Sequence, residues 1–245
     1  MRKLKRYVRS NTTLAEVIIF LIGAVLILIG KGFSSNIIIG IGTSIMASSI
    51  IVFMTDVMIG SDENETVKHW GLEEVHQTRG EMNRNCDLYL RNAKQISVIA
   101  FGLKSLRDTQ QKQVERLLRN GGSIRIITMR PECANLKERE KDELLPEEGI
   151  SLSIVQLIDW AKKLNSRKYK GKIEIRYHER QPLDFLFMMD NRLFTGPYEY
   201  GKDSQQSLSF EYNNTGKAYE YYRNYFNTLW SDNDFCVNAL QENKE

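Results

Sequence analysis

The stretch LDFLFMMDNRLFTGPYEYG, residues 183–201, contains two apolar runs, LDFLFMMD and RLFTG, followed by a polar loop. Short apolar runs of this kind predict two buried strands. Upstream, ISVIAF (96–101), a helical pattern at 107–119, a Gly-Gly turn and SIRIITM (123–129) follow one another. This order predicts a strand–helix–strand unit with parallel pairing. The predicted fold class is therefore an α/β domain whose mixed sheet is flanked by helices.

The patterns outside this unit complete the predicted organisation of the chain. Helices are expected at 133–145, 152–164 and 216–230, and strands at KIEIRY (172–177) and LSFEY (208–212). The predicted divisions are a membrane module at 1–60, a connecting helix at 61–95, the α/β domain at 96–232 and a tail at 233–245. The connecting helix is inferred from apolar residues at helical intervals: Trp70, Val75, Met82, Cys86 and Leu90.

The amino-terminal region has the composition of a membrane module. Between residues 17 and 55 only Lys31 is charged, and two candidate spans, 12–30 and 33–55, each approach the roughly 20 apolar residues that cross a bilayer. Two adjacent spans are unlike a secretory signal. Five basic residues precede the first span: Arg2, Lys3, Lys5, Arg6 and Arg9. The positive-inside rule then predicts two spans of the inner membrane, with both termini and the α/β domain in the cytoplasm.

Small residues recur on the second candidate span. Gly40, Ser44 and Ser48 are spaced by four residues, with Gly42 and Ala47 beside them, so one helical face permits close packing. That face packs either on the first span or on another subunit. Two carboxylates, Glu16 and Asp56, sit at the predicted cytoplasmic ends and are either interfacial residues or the mouth of a cation pore.

Charge and cysteine content restrict the function classes. The formal net charge is +3, and because the five basic residues before the first span exceed it, the remainder is slightly acidic. A strongly basic nucleic-acid-binding body is therefore not predicted. Cys86, Cys133 and Cys236 are widely spaced and read as reduced thiols. Neither a metal site nor a cofactor is predicted, although His69 and His76 are seven residues apart.

Four segments resemble the single-copy bacterial branch of the phospholipase D-like superfamily. They are ISVIAFGLKSL (96–106), LLRNGGSIRIITMRPECANLKERE (117–140), IEIRYHERQPLDFLFMMDNRLFTGPYEYG (173–201) and YEYYRNYFNTLW (219–230). The resemblance covers about two thirds of the chain. It implies a phosphodiesterase fold in which a His-x-Lys-x4-Asp motif supplies a histidine nucleophile. It also implies a dimer or a higher even-numbered homo-oligomer, because two motif copies meet at one site.

The motif is degenerate in this sequence. When its aspartate is fitted to Asp190, Leu183 occupies the histidine position and Phe185 the lysine position, and neither side chain can attack phosphorus or neutralise phosphate. The expectation is that the protein is not an enzyme. The alternative is a shifted motif, His178-x-Arg180-x3-Asp184, one residue short of the family spacing.

Polar and cationic residues follow the predicted strands at the ends where α/β proteins hold ligands. The candidate ligand-binding residues are Lys104, Ser105, Arg130, Arg176, Tyr177, His178, Arg180, Tyr198, Lys202 and Ser204. They are predicted either to bind phosphates and stack on a base or to be solvated loop charges. Residues 162–180 carry eight basic and two acidic side chains and are expected to contact lipid headgroups or a polyanion.

Three functional hypotheses remain open from the sequence. In the first, an inactive phospholipase D-like domain binds a nucleotide or short oligonucleotide and gates an oligomeric two-helix membrane assembly. This layout is similar to that of anti-phage membrane effectors, whose ligand a partner nucleotidyltransferase would make. The second is an active phosphodiesterase using His178, and the third is a membrane-tethered scaffold that binds proteins.

Overall fold

The computed structural model describes residues 2–143, 149–180 and 184–240, with the backbone alone at 2–15 and 56–65. The chain divides into two compact units, Met1–Thr66 and Val67–Glu245. Each unit has its own architecture.

The first unit contains helix α1 (Arg2–Gly32) and helix α2 (Asn36–Trp70) up to Thr66. A Cβ placed on Gly42 of α2 would lie 2.7 Å from the carbonyl oxygen of Gly23 on α1, so the two backbones touch at these glycines. Gly42 and Ser49 are the small residues of α2 that are buried in this contact. The helices therefore pack through a pair of residues seven apart, which places both on one helical face.

The small-residue face predicted from the sequence lies elsewhere on α2. Gly40, Ser44, Ala47 and Ser48 are all exposed in the single chain. The interpretation in which these four residues pack on the first helix differs from the structure, because Gly42 and Ser49 take that role. Their face of α2 is left without a contact to α1.

One segment of the described residues, Asn36–Thr55, is long and apolar enough to cross a membrane, with a mean hydropathy of 2.2. This criterion concerns length and composition only. The predicted first span includes residues 12–15, whose side chains lie outside the described part, so the two-span topology stays a prediction. Asp56, predicted at a pore mouth, also has an undescribed side chain. Glu16 is described and lines a small apolar cavity with Phe20, Ser49 and Phe53.

The second unit is built on one sheet of eight strands. Their bounds are β1 Leu72–His76, β2 Gln95–Ile99, β3 Ser123–Met129, β4 Ile173–His178, β5 Asp184–Met189, β6 Arg192–Pro197, β7 Ser209–Asn213 and β8 Val237–Asn238. The spatial order is β1-β7-β6-β5-β2-β3-β4-β8. Pairing is parallel for β2–β3 and β3–β4 and antiparallel for the other neighbours. The predicted mixed sheet and the parallel strand–helix–strand unit are confirmed.

Helices cover both faces of this sheet. They are α3 (Arg79–Leu90), α4 (Lys104–Asp108), α5 (Gln111–Arg119), α6 (Ala134–Asp142), α7 (Gly149–Asn165) and α8 (Lys217–Ser231), with a 3₁₀ turn at Ser204–Gln206. The larger core includes Ile124 and Ile126 of β3 with Leu118 and Leu157 from the helices. The smaller core, on the other face, contains Leu186 of β5 and Phe226 of α8. This alternation along the strands is the two-residue period of a sheet buried on both sides.

The segment predicted as one connecting helix contains a strand instead. Gly71, with φ of +73°, ends α2, and β1 then pairs antiparallel with β7. Thr78 caps the next helix, α3, by accepting a hydrogen bond from the Glu81 amide, while the Glu81 carboxylate accepts one from the Gln77 amide. The T-R-G-E sequence at 78–81 is thus a capping box that marks a new helix start.

The predicted tail also differs from the structure. β8 pairs antiparallel with β4 as the last strand of the sheet, and Cys236 immediately before it is buried. The segment therefore contributes a short strand, Val237–Asn238, to the sheet.

Candidate functional site

Five strand ends meet at one edge of the sheet. The parallel strands β2, β3 and β4 all end there. Since β5 is antiparallel to β2 and β6 is antiparallel to β5, β5 begins and β6 ends at the same edge. This edge is where ligands of α/β proteins commonly bind, and most of the predicted ligand residues lie along it.

A cavity of about 260 Å³ opens beside β2 and β5 at this edge. Four predicted residues, Lys104, Ser105, Tyr198 and Ser204, line it. Most of the other lining residues were not predicted from the sequence; the lining includes Arg79, Asn83, Phe101, Gln110, Ser153, Phe185 and Gln205. The wall is thus a mixture of aromatic rings and hydrogen-bonding side chains, typical of a small-molecule site.

Arg79 is the central charge of the cavity. Its side chain starts in the first turn of α3 and is only 6% exposed. The guanidinium carbon lies 3.8 Å from the centroid of the Phe185 ring and 4.4 Å from that of Tyr198. The Phe185 ring, at the position fitted to the motif's lysine in the sequence, is thus in contact with a cation from another element.

The hydrogen bonding of Arg79 is incomplete. Nη2 donates to the Pro197 carbonyl at 3.0 Å, whereas Nε has no partner, and no ion pair of Arg79 is formed within the described part of the chain. Burial lowers the pKa of this guanidinium, but arginine stays protonated in proteins. A buried cation without a carboxylate is costly unless an anion reaches it.

A second buried arginine nearby is already neutralised. Arg139 of α6 donates through Nε and Nη2 to the same carboxylate oxygen of Glu143, at 2.9 and 2.5 Å. Its guanidinium carbon lies 5.1 Å from the Tyr198 ring. Burial raises the pKa of the Tyr198 phenol, so this hydroxyl is neutral at pH 7. Arg79 therefore has no carboxylate at ion-pair distance in the described residues. The more distant carboxylates of Glu143, Asp184 and Glu199 still interact with its charge.

The remaining motif positions do not form a phosphodiesterase site in the described residues. Asp190 lies at the opposite end of β5 from Phe185, about 17 Å along the strand. Its carboxylate accepts hydrogen bonds from the amides of Lys94 and Gln95 at 2.7 and 2.8 Å, which caps the start of β2. Leu183, fitted to the histidine position, lies outside the described residues.

The shifted motif is dispersed. His178 ends β4 and Asp184 begins β5, and with β3 and β2 between them the strands are about 14 Å apart. The His178 ring stacks on Phe235 at 5.3 Å, and burial lowers the pKa of its imidazole to about 4. Arg180 lies over the same Phe235 ring at 5.8 Å. The interpretation of these residues as one catalytic group does not agree with the structure.

The other predicted cations do not line the cavity. Arg130 pairs with Glu179 at 3.1 Å and lies over the Tyr177 ring, whereas Lys202 pairs with Glu199. Arg176 points to the opposite face of the sheet, where it donates to the Trp230 carbonyl at 2.6 Å. The single site expected from the sequence is therefore divided between the cavity and separate surface contacts.

Comparison with known proteins gives distant structural similarity. No family model and no curated protein matches the chain. Similar solved structures include TrmBL2, an archaeal chromatin protein (13% identity, TM-score 0.42, 77% of this chain and 68% of that chain). They also include a phosphatidylserine synthase from Haemophilus influenzae Rd KW20 (13% identity, TM-score 0.46, 67% of this chain and 38% of that chain). A third is NucT from Helicobacter pylori (8% identity, TM-score 0.41, 65% of this chain and 92% of that chain).

The synthase and NucT belong to the phospholipase D-like superfamily that the sequence resembles. At identities and TM-scores this low, the similarity supports no statement about activity, ligand or membrane association. What is established is the class: an α/β domain with a mixed sheet flanked by helices, preceded by a helical pair that contains one membrane-compatible segment.

The buried imidazole predicts a specific pH dependence of stability. The pKa of His178 is about 4 in the folded chain and about 6.5 when unfolded, so the unfolded state binds more protons between these values. The contribution of the neutral His178 imidazole to stability is therefore fully present above pH 6.5. Between pH 6.5 and pH 4, the free energy of unfolding falls by about 1.4 kcal/mol for each pH unit. Measured as the free energy of unfolding against pH, His178→Gln should lose this slope. His69→Gln, at an exposed site on α2, is the control. Parallel curves for wild type and His178→Gln would contradict the burial of a neutral imidazole.

Proposed function

We propose that the protein is a membrane-anchored sensor whose catalytically inactive phospholipase D-like domain binds a nucleotide and thereby gates an oligomeric transmembrane assembly. The observation that carries the proposal is the buried Arg79 guanidinium, which has no ion pair within the described residues and lines the cavity. A phosphate group is the natural partner for such a planar, delocalised cation.

The dimensions of the cavity favour a small ligand. Its volume of about 260 Å³ is near the lower end of small-molecule sites. Phe101 and Tyr198 have ring centroids 4.8 Å apart on its wall, and Lys104 offers a second cation. Asn83 and Gln110 also line the cavity, and their amide groups offer hydrogen bonds to the edge of a base. We infer a mononucleotide, or the terminal nucleotide of a short oligonucleotide, with its phosphate on Arg79 and its base against the aromatic rings.

The absence of hydrolysis is part of the proposal. Phe185 is buried where the family places its lysine, and Arg79 restores the charge without supplying a nucleophile. His178 is separated from Asp184 by two intervening strands. These positions support binding rather than phosphodiester cleavage, and no described contact favours the scaffold alternative.

Gating requires more than one chain, because two helices cannot enclose a pore. The exposed face of Gly40, Ser44, Ala47 and Ser48 on α2 supports an intersubunit contact. The Ser44 hydroxyl donates to the Gly40 carbonyl at 2.9 Å, so it brings no unsatisfied donor into an apolar contact. We propose that this face joins subunits in the inner membrane, with the sensing domain in the cytoplasm and a role in defence against phage. An even-numbered assembly, starting from a dimer, is the arrangement that we expect.

Removing the cavity charge should abolish ligand binding. In Arg79→Gln, the affinity of the detergent-solubilised full chain for adenosine or guanosine 5′-monophosphate should fall at least tenfold, or about 1.4 kcal/mol. Arg79→Lys should lose less, because it retains the charge without the planar fork. Isothermal titration calorimetry gives the affinities. Arg91→Gln, at an exposed arginine just after α3, is the matched control. Equal affinities in Arg79→Gln and wild type would reject this site.

Filling the small-residue face should disrupt assembly. Ser44→Leu introduces a bulky side chain at the proposed contact and should shift the detergent-solubilised chain to smaller species in analytical ultracentrifugation. It should also remove any ligand-dependent conductance in planar bilayers. Thr43→Leu, at the neighbouring exposed position on a different side of α2, is the control. An unchanged assembly in Ser44→Leu would place the subunit interface elsewhere.

A further inference from the structure

A group of metal-ligating side chains lies where β1, the first strand in the spatial order of the sheet, pairs with β7. Glu74 and His76 are two residues apart on β1, so both point to the same face. Glu211 on β7 is the direct strand partner of Glu74. The three ligand atoms lie within 4.8 Å of one another, and His76 and Glu211 are 4% and 3% exposed.

The strand register places two carboxylates next to each other. Two carboxylates directly opposite each other in an antiparallel ladder repel, and Glu74 and Glu211 occupy such a pair. Arg192 of β6 forms an ion pair with Glu211, with its Nε 3.5 Å from Oε1. The Tyr89 hydroxyl donates to the same Oε1 at 2.9 Å. These two contacts hold Oε1 of Glu211 in place, and Oε2 of the same carboxylate faces His76.

His76 has the geometry of a ligand rather than of a hydrogen-bond donor. Its Nε2 lies 3.4 Å from Oε2 of Glu211, yet the two atoms lack the alignment of a hydrogen bond, and Nε2 has no other partner. In a tetrahedral zinc site, ligand atoms about 2.0 Å from the metal are about 3.3 Å from one another. The nitrogen–oxygen separation matches that edge. The exposed Glu74 carboxylate accepts one long hydrogen bond, at 3.4 Å from Asn85 Nδ2, and rotation of its side chain would close the remaining distance.

We infer that His76 Nε2, Glu211 Oε2 and a Glu74 carboxylate oxygen bind one Zn²⁺, with a solvent molecule in the fourth position. One imidazole and two carboxylates form a donor set that zinc accepts. Tyr89 and Arg192 position Glu211 from the second coordination sphere. The ion relieves the repulsion between the paired carboxylates and fastens β1, the strand that follows α2 in the chain, to β7.

This site is independent of the nucleotide cavity, because none of its three ligands lines that cavity. It was not predicted from the sequence, where His69 and His76 were weighed as the metal pair. His69 lies on α2 and His76 on β1, and the third ligand comes from residue 211. Only the pairing of β1 with β7 brings these side chains together.

Metal binding to the full chain tests the inference. The protein is purified in detergent, stripped with EDTA and titrated with Zn²⁺ by calorimetry and with Co²⁺ by visible absorption. We expect one ion per chain and a Co²⁺ spectrum of four-coordinate intensity. His76→Gln should weaken Zn²⁺ binding at least a hundredfold and Glu74→Gln at least tenfold. Zn²⁺ should raise the melting temperature of wild type more than that of Glu74→Gln.

The control variants replace the same residue types at exposed positions. His69→Gln and Glu138→Gln should bind Zn²⁺ as wild type does. Glu74 is exposed, so Glu74→Gln reports on the site even if His76→Gln fails to fold. Failure of the stripped wild-type protein to take up Zn²⁺ would overturn the inference and leave His76 and Glu211 as an ion pair. Equal binding by wild type and Glu74→Gln would also overturn it.

Discussion

The burial of one guanidinium group is the constraint on which the candidate site depends. Arg79 lies between the rings of Phe185 and Tyr198, and its charge is not neutralised by a carboxylate at ion-pair distance in the described residues. A buried carboxylate on the cavity wall, Glu143, is already paired with Arg139. A charge held in this way is stable only because the rings and one carbonyl solvate it partially, and an anionic ligand would complete that solvation. The Phe185 ring, at the fitted lysine position, thus contacts a cation supplied from α3.

The fold places the Arg79 guanidinium in the cavity at the carboxyl ends of the parallel strands. α3 follows β1 in the chain, is capped by Thr78 and carries Arg79 in its first turn. At the opposite end of β5, Asp190 holds the beginning of β2 through two backbone amides. The aspartate fitted to the motif therefore caps a strand of the sheet. One fold can carry sites with different functions, so the fold alone does not determine what this cavity binds.

Local periodicity was sufficient to predict much of the sheet. The strands around SIRIITM and LDFLFMMD and the parallel pairing of β2 with β3 follow from short apolar runs separated by a helix. β1 could not be found this way, because its partner β7 lies about 135 residues further along the chain and two of its residues are glutamates. The same limit applies to Arg79, whose burial depends on rings contributed by β5 and the loop after β6. Arg176 and Tyr177 illustrate a register effect, since adjacent residues of β4 point to opposite faces.

The central claim is that the Arg79 cavity holds a phosphorylated ligand in the cell. The most direct measurement is to purify the full chain from its native host, denature it, and record the absorbance spectrum and mass of whatever is released. We expect a nucleotide or short oligonucleotide in a ratio approaching one per chain. A protein that releases no such species, and that captures none from a mixture of nucleotides and short oligonucleotides, would contradict the claim and favour a scaffold that binds proteins.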